Sequence, residues 1–276
     1  MNPSIVTTNS SSSRLNNDPA ARRVQVLPDA AAVARAAAEE FVRLGIAAAR
    51  ARGQFTVALA GGSTPKALYE LLATEPAFRD RVPWAQTHLF FGDERHVAPD
   101  HKDSNYRMAR EAMLERLAPS PLPAENVRRI PSENPDAYAA AAEYEATLRA
   151  FFHDNDDAQP RFDLVLLGMG PDGHTASLFP GTTGLRERDK LVCAAWVDKF
   201  STYRITFTPP LLCAAAAILY MVTKEDKADT LRAVLHGPGE TDRYPSQGIC
   251  TSAAGSETLW LADRAAAAKL PTNNGG

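Results

Sequence analysis

His174 stands on a glycine-rich loop, two residues after Asp172. An imidazole whose unperturbed pKa is about 6.5 can take up or return a proton near neutrality, and a neighbouring carboxylate can orient the ring and favour its charged form. The plainer alternative is a histidine that only caps the helix after it. A second candidate is Gly61-Gly62-Ser63-Thr64, which follows an apolar run and opens a helical one with Pro65 in its first turn. Free N–H groups and the positive end of a helix dipole make an anion site there. The alternative is a tight turn with an N-cap and no ligand. The G-x-x-x-x-G-K-[ST] spacing of a Walker loop is absent. A third segment turns at Gly92 and presents Asp93, Glu94 and Arg95 together. Such a triplet is either a solvated turn or a site, and a planar guanidinium suits a phosphate dianion. Lys199 in a loop and Arg204 at a strand entry are further cations. Lys227 lies in the first turn of a helix, where a cation is unfavourable unless a bound anion offsets it.

Other chemistries lack their parts. Gly168, Gly170 and Gly173 spell G-x-G-x-x-G, but Pro171, Asp172 and His174 are not what a pyrophosphate turn requires, and Asp198 is the one candidate for the following acid. There is no G-x-S-x-G elbow, no His-x-x-x-His and no Cys-x-x-Cys. Cys193, Cys213 and Cys250 are widely spaced and odd in number, which predicts three buried, reduced thiols rather than disulfides or a zinc site. What is left is an anion cradle, several cations and one loop histidine with an aspartate. The expectation is catalysis without a cofactor or a resident metal.

These loops need elements to hold them. Short β-branched or aromatic runs at 55–60, 87–91, 162–168, 191–197, 203–208, 216–222 and 258–262 read as strands, several of them apolar throughout, as in a parallel sheet covered on both faces. Helical texture lies between them at 29–52, 64–73, 104–117, 134–152 and 226–235, with Asp29 and Ser104 as N-caps. The alternation predicts an α/β fold: a single-domain, open, mostly parallel sheet with helices on both faces, binding its ligand at the carboxyl ends of the strands. At 276 residues, 45% hydrophobic and 23% charged, the chain can bury a large core unaided. A net charge of −3 argues against a broad nucleic-acid surface, and no apolar run is long enough to span a membrane. Residues 1–20 are Ser/Asn-rich and predicted disordered, 21–268 form the folded domain, and 269–276 are a flexible tail. The protein is expected in the cytoplasm, as a monomer or small homo-oligomer.

The Gly61-Gly62-Ser63-Thr64-Pro65 loop, the Gly92–Arg95 turn with Asp103-Ser104-Asn105-Tyr106 downstream, the run from Gly168 to Pro180 and the Arg204-Ile205-Thr206 strand occur in the order seen in 6-phosphogluconolactonases. The chain resembles that family, the lactonase branch of the glucosamine/galactosamine-6-phosphate isomerase superfamily, from about Val24 to Ala262. The resemblance implies a Rossmann-like fold of the sugar-phosphate isomerase/lactonase type. It implies hydrolysis of 6-phospho-D-glucono-1,5-lactone in the oxidative pentose phosphate pathway, with the sugar-phosphate lactone as the small-molecule partner and neither nucleic acid nor membrane. It makes His174 the general base, supported by Asp172. Gly61, Gly62, Ser63, Thr64, Asp93, Arg95, Lys199 and Arg204 then surround the substrate, and Lys227 is a weaker candidate. Lys199 and Arg204 keep the family's five-residue step, although Phe200, Ser201 and Thr202 replace its prolines. A Gly commonly stands in the family where this chain has Lys224. Two other readings remain: a glucosamine-6-phosphate deaminase/isomerase with Asp93 as base, and a non-catalytic sugar-phosphate sensor. The first lacks the Asn-Glu-Pro ending, since Ser177-Leu178-Phe179-Pro180 stands there. The second lacks a DNA-binding module.

Overall fold

The computed structural model describes residues 22–117, 121–152, 160–251 and 256–271. The expected N-terminal tail (1–20) and residues 272–276 of the expected C-terminal tail lie outside them. The strands are β1 Arg22–Leu27, β2 Phe55–Leu59, β3 Thr87–Phe91, β4 Asp93–Arg95, β5 Val127–Arg128, β6 Leu164–Gly168, β7 Val192–Val197, β8 Thr202–Phe207, β9 Ala217–Val222 and β10 Glu257–Asp263. The helices are α1 Ala30–Arg52, α2 Ser63–Thr74, α3 Pro76–Arg79, α4 Asn105–Ala109, α5 Ala137–Phe152, α6 Pro209–Cys213 and α7 Ala228–His236. Seven strands form one parallel sheet in the order β1-β10-β9-β6-β2-β3-β5. Right-handed crossovers put α1 and α2 on one face and α5 to α7 on the other.

The chain leaves β2 toward β3 on one side, and leaves β6 toward β9 on the other. β2 and β6 are neighbours, so the two departing loops open a crevice between them. This is the topological switch point of the sheet. The loops concerned are the Gly61–Thr64 and Gly168–His174 segments.

Three features differ from the expectation. The runs at 191–197 and 203–208 do not join the parallel sheet. They form the antiparallel hairpin β7–β8, with β4 on the far side of β8. The reason is local: the connection is one short turn ending at Ser201 with φ 46°, far too short for a parallel crossover. The edge strand β1, RRVQVL, was not anticipated. Its Val24 and Val26 are exposed, so it has no apolar face to recognise. The helix expected over 104–117 is α-helical only through α4, then continues as a π turn (Arg110–Leu114) and a 3-10 turn (Glu115–Leu117). Asp29 and Ser104 cap as expected, accepting from Ala32 N and Arg107 N.

Buried polar groups pin the strand ends that carry the site. The Tyr69 hydroxyl, from α2, accepts from Ala60 N (2.9 Å) and donates to Ala60 O (2.8 Å), at the exit of β2. The Tyr144 hydroxyl, from α5, accepts from Phe91 N (2.9 Å), at the exit of β3. Burial pushes both phenols well above the ordinary tyrosine range, so they serve as neutral hydrogen-bonding groups. At the opposite end of the sheet Asp163 accepts from Thr56 N (2.8 Å) and Oγ1 (3.0 Å) and pairs with Arg52. The three cysteines form no disulfide, and Cys193 is buried whereas Cys213 and Cys250 are half-buried. Burial raises the Cys193 thiol to about 12 and Cys213 to about 11, which favours the protonated thiol in both.

Candidate active site

The switch-point crevice has a volume of about 300 Å³. Its lining draws on the loops after β2, β3, β6 and β9, including Gly61 to Pro65, Asp93, Arg95, Asn105, Gly168 to Pro171, His174, Thr223, Lys224, Asp226 and Lys227.

His174 Nδ1 lies 2.5 Å from Asp172 Oδ1. Burial alone would raise the Asp172 carboxyl. The hydrogen bond and charge of His174, its backbone N–H and Lys199 outweigh that and hold Asp172 well below the usual carboxylate range. Asp172 is therefore an anion and only an acceptor, so Nδ1 carries the proton. In the neutral ring this leaves Nε2 as an acceptor, and it makes no hydrogen bond among the described residues. Phe179 stacks on the imidazole with centroids 4.1 Å apart, fixing the ring plane. The ring folds back over Gly170, where a Cβ would lie 2.0 Å from His174 Nδ1. Only glycine leaves that space free.

The G-x-G-x-x-G spacing serves this loop and no dinucleotide. No helix opens after Gly173. Thr175 pairs with Leu178 in an isolated bridge, and only a 3-10 turn (Thr183–Arg186) follows before β7. A pyrophosphate turn needs a helix N-terminus there.

Hydrogen bonds tie the four loops together. Thr64 Oγ1 meets Thr223 Oγ1 at 2.9 Å, joining the β2 and β9 loops. Thr230 Oγ1 donates to Pro171 O (2.6 Å), joining α7 to the histidine loop. Ser177 Oγ donates to Asp93 Oδ2 (2.6 Å), and Asn105 Nδ2 donates to Asp93 O (2.9 Å). Asn105 packs so closely on Gly61 that a Cβ there would lie 1.9 Å from its Oδ1.

Glu94 is 1% exposed and faces away from the crevice chemistry. Its carboxylate accepts from Arg95 N, Asn105 N, Tyr106 N and Ser104 Oγ at 2.7–3.0 Å, fastening the β4 turn to the start of α4. Burial raises its pKa and these four donors oppose the rise. Glu94→Gln turns an NH₂ toward donors, so it should lower stability by about 1–3 kcal/mol. Thermal unfolding should register this as a fall in Tm of several degrees. An unchanged Tm would show that the network does not hold the loop.

Most of the residues singled out in the sequence converge here. Gly61 to Thr64 line the crevice, and the N-cap of α2 is Gly62, which has no side chain to cap with and leaves N–H groups open to an anion. Asp93, Arg95 and His174 line it as well. Lys227 does too, with its side chain 17% exposed and Nζ 3.0 Å from Asp226 Oδ2. Lys199 and Arg204 are not in the lining. Lys199 Nζ reaches Asp172 Oδ2 at 3.4 Å, behind the His–Asp pair. Arg204 sits directly across the β4–β8 ladder from Arg95. Burial, then the charge of Arg95, pulls its pKa down. Both cations lie over the ring of Phe200. Asn105, Ser177, Thr223, Lys224 and Asp226 were missed as site residues. Ser177 lies within the Gly168–Pro180 run, and Lys224 lies three residues before Lys227. Thr223 carries no spacing signal of its own.

Fold and site together define an open α/β protein of enzyme type, in which an uncapped helix start and a carboxylate-oriented imidazole line one switch-point crevice. The chain belongs to the glucosamine-6-phosphate isomerases/6-phosphogluconolactonase family, whose model matches residues 28–260. It is 41% identical to a 6-phosphogluconolactonase from Nostoc sp. over 249 residues, which is 90% of this chain and 98% of that one. Among solved structures, the devB protein superposes with a TM-score of 0.80 at 33% identity, covering 91% of this chain and 100% of that one. The 6-phosphogluconolactonase from Trypanosoma brucei superposes with a TM-score of 0.77 at 26% identity, covering 91% and 99%.

Proposed function

We propose that this chain hydrolyses 6-phospho-D-glucono-1,5-lactone to 6-phospho-D-gluconate, a step of the oxidative pentose phosphate pathway. Relatives named 6-phosphogluconolactonase at 41% and 40% identity support the activity. The observation that carries the chemistry is the His174–Asp172 pair, which leaves Nε2 as the acceptor of a histidine in the crevice lining.

A δ-lactone is an activated ester, so water is a sufficient nucleophile once a base is in place. His174 Nε2 takes a proton from water as the oxygen attacks the lactone carbonyl. The carbonyl electron pair moves onto oxygen, and nearby N–H groups or a cation stabilise that oxyanion. The bond to the ring oxygen then breaks, and the imidazolium returns its proton to the departing oxygen. Asp172 fixes the tautomer and orientation of the ring, and Lys199 backs Asp172. Gly61 to Thr64, Arg95 and Lys227 bind the phosphate and polar end of the substrate, with Asp93 and Arg204 beside them. Holding the phosphate converts remote binding into orientation of the carbonyl at His174.

We read residues 21–268 as the catalytic domain of a cytoplasmic monomer or small homo-oligomer. Among the described residues no helix is long and apolar enough to cross a membrane. Asp93 is engaged by the Ser177 hydroxyl, which disfavours its use as the base of a deaminase/isomerase.

The test compares freshly generated 6-phosphogluconolactone with the unphosphorylated lactone, after subtraction of spontaneous hydrolysis. The expected result is a kcat/KM at least about 10²-fold higher for the phosphorylated lactone, the scale of a charge-assisted clamp. Equal rates would sink the clamp. Ammonia release from glucosamine 6-phosphate would establish the deaminase reading, and binding without hydrolysis the sensor reading.

A further inference from the structure

Lys224 has a backbone conformation of φ 82°, ψ 149°, close to a region that is essentially reserved for glycine. The surroundings impose it. The Lys224 N–H points at the Asp263 carboxylate, 3.2 and 3.1 Å from its two oxygens, and Asp263 is buried at the end of β10, where it also accepts from Ala266 N. The bend carries the chain from β9 into the turn before α7 whatever residue occupies it. A glycine would take this geometry without strain.

The lysine nevertheless stands in the crevice wall. Its neighbour Thr223 is bonded to Thr64 at the start of α2, which places residue 224 beside the uncapped helix start. Lys227, one turn on, pairs with Asp226, whereas Lys224 is exposed and has no ion pair among the described residues. An unpaired cation at a strained position, next to an anion-binding helix end, favours contact with an anionic ligand.

We propose that Lys224 is an affinity determinant of this chain, its ammonium contacting the phosphate group of the substrate. This rests on the lactonase reading for the identity of the substrate.

Three variants separate charge from strain. Lys224→Ala removes the charge and keeps the strained backbone. Lys224→Gly removes both, and Lys224→Arg keeps the charge. With 6-phosphogluconolactone, the Ala and Gly variants should raise KM about tenfold, as expected for one charge-assisted contact, with kcat within about twofold. The Arg variant should stay near wild type. The unphosphorylated lactone should not distinguish the variants. Lys224→Gly should unfold at a Tm equal to or above that of Lys224→Ala, so a KM effect shared by both is not a folding defect. A KM unchanged in both would overturn the proposal. Calorimetric titration of 6-phosphogluconate keeps the two claims apart. If the wild type binds it but hydrolyses no lactone, the lactonase reading fails, and a tenfold weaker Kd in the Ala and Gly variants still supports Lys224. An unchanged Kd rejects it.

Discussion

Replacing His174 by alanine should reduce kcat on 6-phosphogluconolactone by about 10²–10⁴-fold, the span associated with loss of a positioned general base. The ring is 2.5 Å from Asp172 through Nδ1 and stacked on Phe179, so Nε2 has one fixed direction. Among the described residues no other imidazole lines the crevice. Product binding should change little, because the groups proposed to hold the phosphate lie on the β2, β3 and β9 loops and the histidine on the β6 loop. The measurement is initial-rate kinetics with the spontaneous rate subtracted, alongside calorimetric binding of 6-phosphogluconate. Turnover near wild type would remove His174 from the mechanism. Loss of product binding together with turnover would point to a collapsed loop instead.

Gly170→Ala should be nearly as damaging, although it adds a single methyl to a residue with no chemistry. That methyl would sit 2.0 Å from His174 Nδ1 and 2.7 Å from Asp172 Oδ1, inside the hydrogen bond that orients the base. The ring cannot stay where it is. Misplacing a reacting group by about 1 Å is enough for a loss of roughly 10²-fold. The loop itself is held elsewhere, by Gly170 N to His174 O (2.9 Å), Thr175 Oγ1 to Gly168 O (2.8 Å) and Ser246 Oγ to Gly173 O (2.7 Å). The expected result is therefore a folded protein that binds product and turns over slowly. Combining Gly170→Ala with His174→Ala should be no worse than His174→Ala alone, because both remove the same oriented base. Additive losses would show that Gly170 acts through something other than the ring.

The strands of the sheet's interior were legible because each is a short apolar run ending in glycine or a polar loop. The runs at 55–60, 87–91, 162–168, 216–222 and 258–262 all became parallel strands. The edge strand β1 was not legible, because an exposed strand has little burial to pattern its residues. The hairpin β7–β8 is legible as two strands but not as an antiparallel pair outside the parallel sheet. Apolar texture reports burial and not direction, and here a short turn set the direction.

The site divides along the same line. His174 with Asp172, the Gly61–Thr64 turn, and Arg95 beside Asp93 were all determined by the sequence itself. Their chemistry depends on residue type and on spacings of a few positions, and a chain cannot separate groups so near in sequence. Which loops meet was decided only by the tertiary structure. Strand order brings β2 beside β6 and so sets residues 61–64 opposite 168–174. It adds Lys224 and Lys227 to the crevice wall and leaves Lys199 and Arg204 outside the lining. Asp263, near the end of the chain, imposes a glycine-like backbone on a lysine 39 residues earlier. Contacts of that kind arise from the path of the backbone through the sheet, which leaves no local periodicity or spacing in the sequence to read.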